Sequence, residues 1–147
     1  MVQTMHLVKS VGICIIGLAL SLSADAIAAD VVAVVSSRSS VTALRANQIT
    51  DIFLGKSNRF PDGSPAVPID QVEGSAARDE FYLKIAGKSP AQMKAHWSKI
   101  IFTGRGQPPR EVANSVEMKK LISENPNVIG YIEQSLVDDR VKVLFAQ

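Results

Sequence analysis

The chain has 147 residues but one cysteine, Cys14, and two histidines, His6 and His96. Cys14 and His6 fall in an N-terminal stretch that reads as a removable leader, so the remaining chain holds no cysteine and depends on no disulfide. A zinc site needs three or four Cys, His or carboxylate ligands. A histidine-dependent triad needs a nucleophile, a base and an orienting group. A single histidine supports neither, and no constellation in the sequence builds a catalyst. The chain is therefore expected to hold no metal and no cofactor, and to be no enzyme. Excess charge of one sign is also lacking: 16 Lys and Arg stand against 14 Asp and Glu, for a net charge of +2. That mild balance argues against nucleic acid as a partner. There are no internal repeats and no low-complexity tract.

One long apolar run is present, "VGICIIGLALSL" at residues 11–22, preceded by Lys9 and followed by "SADAIAAD". Small residues at Ala26 and Ala28 complete the layout of a secretory signal with an A-x-A cleavage site. The run is short for a membrane span, which needs about 20 residues. We expect residues 1–28 to be a signal peptide and residues 29–147 one domain, located in the periplasm with no stable membrane anchor after cleavage. An uncleaved N-terminal anchor is the alternative. A single domain of this size buries roughly two-thirds of its unfolded surface.

"DVVAVV" is a continuous β-branched run and predicts a buried strand. "LRANQITDIFLGK" has Leu44, Ile49, Ile52, Phe53 and Leu54 at helical spacings, with Gly55 where a helix C-terminus favours a left-handed residue. Pro61-Asp62-Gly63 predicts a turn. "AVPID" predicts a short strand, which Pro68 assigns to a sheet edge or a strand start. The next helix places Ala77, Phe81 and Ile85 on one face and stops at Gly87. Another opens with Ser89 as N-cap and Pro90 at its first position. Met93, Trp97 and Ile101 form its core stripe, and His96 lies off it, toward solvent. "FTGRGQPPRE" reads as a loop. A last helix is capped by Asn114 or Ser115, with Glu117 three residues after Asn114, and ends at "NPN". Lys119 and Lys120 are expected on its solvated face. "VIGYI" and "RVKVLF" read as strands, with Asp138 and Asp139 in the turn between them. The order predicts an α/β domain: a mixed sheet flanked by helices.

Two glycine turns are candidates for chemistry. In "IDQVEGSAARDEF" a strand ends, Gly74-Ser75 turns the chain, and a helix opens. The first amides of a helix have no intrahelical acceptors and sit at the positive end of its dipole, which suits an anion. Ser75 supplies a hydroxyl, and Arg78 is one turn along. Equally, Ser75 reads as an N-cap that satisfies the helix's own amides. Glu73, Asp79 and Glu80 crowd the site and would repel an anion. The second turn is "TGRG", residues 103–106, where Arg105 between two glycines reads either as an anion contact or as an exposed loop arginine.

The stretch "LRANQITDIFLGKSNRFPDGSPAVPIDQVEGSAARDEF" resembles a region of phosphate ABC-importer substrate-binding proteins that runs leucine, helix, D-I-F/Y-x-G-K, turn, strand, R-A-D-G-S-G-T. "FTGRGQPPREV" resembles their G-x-G-N-x-G-V loop, and "NPNVIGYIEQSLV" their T-P-G-A-I-G-Y-V-E motif. The resemblance spans residues 31–137 and implies one lobe of a type II periplasmic binding protein. The motif serine falls on Ser75, the preceding glycine on Gly74 and the aspartate on Glu73. The following glycine and threonine fall on Ala76 and Ala77, and the loop asparagine is replaced, with Gln107 nearest. The motif arginine falls on Gln71, a neutral amide in place of a charge-assisted phosphate partner. The resemblance thus implies a site for a small oxyanion, phosphate first, built from Gln71, Gly74, Ser75, Ala76 and Arg78. Its implied partner is an ABC permease or another envelope protein. The alternative is a single-lobe interaction module with a degenerate ligand site.

Overall fold

The computed structural model describes residues 30–144; the signal peptide expected at 1–28 and its expected cleavage point lie outside them. Five strands form one mixed sheet in the order β3 (Arg110–Val112), β2 (Val67–Gln71), β4 (Val128–Glu133), β1 (Val31–Ser36), β5 (Val141–Val143). Strand β1 (Val31–Ser36) is buried along nearly its whole length, as a β-branched run inside a covered sheet must be. It pairs antiparallel with both β4 (Val128–Glu133) and β5 (Val141–Val143). Strand β2 (Val67–Gln71) pairs parallel with β4 on one side and β3 (Arg110–Val112) on the other. The expected α/β architecture with a mixed sheet is the observed one.

One expectation about the sheet holds in one of its two forms, and another needs correction. Strand β2 is interior, so Pro68 does not mark an edge. It marks a strand start: the register with β3 begins only at Ile69, and the missing N–H of Pro68 falls outside that ladder. The segment read wholly as a loop, residues 102–111, begins on the last residue of α3 and ends inside β3. This strand has three residues behind a Pro-Pro pair, too few to show an alternation, and its pairing with β2 defines it.

Helix α1 (Ala46–Phe53) buries Ile49, Ile52 and Phe53, and Gly55 leaves it with φ 76°. Leu44 is buried but precedes the helix. Helices α2 (Ala76–Ala86) and α3 (Pro90–Phe102) fill the connection between β2 and β3. Ser89 caps α3 by accepting from the Gln92 amide, and Gln92 Oε1 accepts from Ser89 N–H at 2.9 Å, a reciprocal capping box. Met93 and Trp97 are buried as expected, but Ile101 is 54% exposed. The stripe runs past the core here, and Ile101 lines an open cleft. His96 is half-buried rather than solvated, since its Nε2–H donates to Leu54 O at 3.0 Å. Helix α4 (Ser115–Glu124) is capped by Asn114 Oδ1, which accepts from the amides of Val116 and Glu117. Lys119 does not sit on a free face: its Nζ bonds Asp138 Oδ2 at 3.0 Å and Leu136 O at 3.1 Å.

An aromatic cluster joins sheet and helices. Phe81 stacks on Tyr131 at 4.1 Å between centroids, and Phe53 and Tyr82 meet both edge-on or tilted. Such pairs contribute about 0.5–1.5 kcal/mol beyond area burial. The cluster fixes α1 and α2 against β4, and so fixes where α2 begins. Among the described residues no helix is long and apolar enough to cross a membrane.

Candidate functional site

The C-terminal end of β2 feeds directly into the start of α2. Asp70, 1% exposed, is the hub of the polar groups there. Tyr82 Oη donates to its Oδ2 at 2.8 Å, and Tyr131 Oη donates to its Oδ1. The Gln71 amide donates to Oδ1 at 2.9 Å, and Arg78 Nε lies 3.4 Å from Oδ2. Burial pushes the Asp70 carboxyl up, while the Tyr131 hydroxyl, the Arg78 charge and the Tyr82 hydroxyl pull it down; burial dominates. Both tyrosine hydroxyls are pushed far above their ordinary range, first by burial and then by the Asp70 charge. They remain neutral donors that hold the Asp70 carboxyl in place.

All five expected site residues come together in this turn. Gln71 is 2% exposed and points inward. Its Nε2 donates to Ser115 Oγ at 2.9 Å and approaches Tyr131 O at 3.4 Å, while its Oε1 accepts from Ser75 Oγ at 2.8 Å. Gly74 has φ 89°, the left-handed turn that lets the chain reverse into α2. Ser75 is the N-cap and accepts from the Arg78 amide at 3.4 Å. Ala76, the first helical residue, is exposed. The Arg78 guanidinium spans Asp70 and Glu111, with Nη1 3.6 Å from Glu111 Oε1 and its centre 5.9 Å from the Tyr82 ring centroid. That Nη1 is buried with no hydrogen-bond partner.

The three acidic neighbours are not equivalent. Glu80 accepts from the Val31 amide and is committed to β1. Glu73 lies 3.8 Å from Lys94, both exposed. Asp79 and Glu111 line, with Glu73 and Arg78, a cleft of about 160 Å³ between α2 and α3. Asp70, Tyr82, Ser115, Glu111 and Tyr131 were not expected at the site. The signal for two of them was a polar residue inside an apolar strand, Asp70 in "VPIDQ" and Tyr131 in "VIGYIE". Gln107 lies in the exposed loop ahead of β3, away from the turn's hydrogen bonds, and Arg105 beside it is also exposed. Among the described residues no group of three His, Cys, Asp or Glu is placed to hold a metal ion.

An interior parallel strand delivering a glycine turn to a helix N-terminus, in a mixed five-stranded sheet, is the arrangement of one lobe of a periplasmic-binding-protein fold. No family model matches the chain, and no curated protein sequence matches it. Solved structures do. A protein described as a phosphate ABC transporter substrate-binding protein from Clostridium perfringens, solved with bound phosphate, superposes with a TM-score of 0.64 at 25% identity, over 80% of this chain and 44% of that one. An ABC-type phosphate transport receptor from Vibrio cholerae matches with a TM-score of 0.61 at 20% identity, over 78% and 45%. PstS from Borrelia burgdorferi matches with a TM-score of 0.58 at 15% identity, over 80% and 47%. The chain thus spans less than half the length of these neighbours and has the fold of a single-lobe form of such substrate-binding proteins. The neighbours are transport proteins rather than enzymes.

Proposed function

We propose that the chain is a periplasmic binding module that takes phosphate or another small oxyanion at the start of α2 for an ABC importer, after export through the signal at residues 1–28. The observation that supports this reading is a set of unused amides. Among the described residues the N–H groups of Gly74, Ala76 and Ala77 donate to no acceptor. They sit at the positive end of α2, where a helix offers donors and partial charge to an anion. Nothing lies within 4 Å of where a side chain on Gly74 would begin, so the turn is open to an incoming group.

A second reading, a single-lobe interaction module with a degenerate ligand site, is favoured by a different observation. The turn's side chains are already engaged: Gln71 with Ser115 and Ser75, Arg78 with Asp70 and Glu111. An anion would meet backbone donors but no free guanidinium.

Titration of the melting temperature with phosphate, sulfate and acetate separates the two. Phosphate at 100 times its Kd should add about 2.7 kcal/mol. The control is Ala76→Pro. Proline is well accepted at the first helical position, and Ser75, at φ −65° and ψ 128°, already has the extended backbone that a residue before proline needs. The variant should fold normally, lack one donor, and lose most of the response at this turn. If no oxyanion in the millimolar range shifts the melting temperature, the oxyanion reading fails. The interaction module then leads, and a pull-down from envelope extract that returns no partner would remove that too.

A further inference from the structure

The hollows on this protein differ in charge. The α2–α3 cleft carries Glu73, Asp79 and Glu111 against Arg78 and Lys94, and two other hollows carry one charge of each sign, Asp30 with Lys84 and Asp51 with Arg59. A fourth, of about 350 Å³, lies between the end of α1, helix α3 and the 103–107 loop, and no carboxylate lines it. Lys56, Lys99 and Arg105 do, together with His96. In a chain with 16 basic and 14 acidic residues, such segregation is not the ordinary mixture of a solvated face. Among the described residues none of these three cations forms an ion pair.

Further donors surround the same space. The amides of Gly106 and Gln107 donate to no acceptor among the described residues. Trp97, 6% exposed, lines the hollow, and its indole N–H is buried without a partner. His96 donates through Nε2 to Leu54 O, which leaves Nδ1 as its free ring nitrogen. One wall is apolar: Leu54 and Trp97 are buried there, and Ile100 is partly so. Gathered cations repel one another unless an anion sits among them. The apolar wall gives a ligand with an organic part more to bind than a bare ion finds.

We propose that this hollow is a second anion site, separate from the turn at α2, which binds a phosphate ester with its phosphate among Lys56, Lys99 and Arg105 and its organic part against Trp97. It absorbs the "TGRG" loop, with Gly104 at φ 66° setting the bend that presents Arg105.

Trp97 is the chain's single tryptophan and lines both this hollow and the α2–α3 cleft, so its emission reports on either, and the variants below assign the signal. Three probes distinguish the source of the phosphate: inorganic phosphate, glycerol 3-phosphate, and vesicles of phosphatidylglycerol set against vesicles of phosphatidylcholine. The expected result is a saturable change in Trp97 emission with glycerol 3-phosphate or with the anionic vesicles, not reproduced by sodium chloride at equal ionic strength. The variant Lys56→Gln/Lys99→Gln/Arg105→Gln changes exposed side chains only and should keep its melting temperature while affinity falls at least tenfold. Ala76→Pro should leave this response intact, which separates the site from the one at α2. The proposal is overturned if no probe produces saturable change up to tens of millimolar, or if binding survives the triple variant.

Discussion

A glutamine that is 2% exposed must satisfy its amide inside the protein, and Gln71 does so with Ser115, Tyr131 and Ser75. Gln71→Ala removes that amide and leaves the hydroxyls of Ser115 and Ser75 without it. The expected loss of stability is about 1–3 kcal/mol, the cost of stranding buried polar groups, read from the midpoint of denaturant unfolding. A midpoint at the wild-type value would mean the network is not formed. The resemblance located this position and the arginine missing from it. Its inward orientation was illegible, because two of its partners lie 44 and 60 residues away in the chain. Local pattern carries no information at that range. Caps are different: Ser75, Ser89 and Asn114 act within four residues, and Ser89 was legible outright, Ser75 and Asn114 each as one of two readings.

Elements were readable where their periodicity had room to show, as in β1, α2 and the first two turns of α3. They were not where pairing alone defines them, as in β3, or where a pattern outruns the core, as at Ile101. The packing of α4 on β4 belongs to the illegible part. A Cβ added to Gly130 would sit 2.8 Å from Ile122 Cδ1 and would collide with Met118 Sδ. Gly130→Ala should therefore cost about 1–3 kcal/mol by overpacking, and the double change with Met118→Ala should recover part of it. A cost that merely adds would show that the contact is absent. The same stretch of α4 is also tied by charge, through Lys119. Hydrogen bonds from Arg140 and Lys119 hold the Asp138 carboxyl well below its usual value of 3.8. A depressed folded-state pKa gives stability that is present above pH 3.8 and lost as pH falls below it. Acid unfolding below pH 4 should be shallower in Asp138→Asn than in the wild type; equal slopes would contradict the tie.

At the scale of the whole molecule, the α/β class and mixed sheet followed from the order of elements, but the strand order did not. It rests on pairings between the two ends of the described chain. Val31 faces Glu133, and Ser36 faces Val141. Non-local pairings of this kind pay loop-closure entropy before they gain contacts. Chains arrested on the ribosome at Asn127 should be digested as fast as an unfolded control, and chains extended past Leu144 should resist. Protection already present at Asn127 would contradict the topology.

The flanking of β1 by β4 and β5 also has a temporal side. The first of the described strands waits, with both hydrogen-bonding edges open, until β4 and β5 are made. For a chain proposed to cross a membrane behind a signal, that delay would keep it threadable, with β4 and β5 as the latch that then closes the fold.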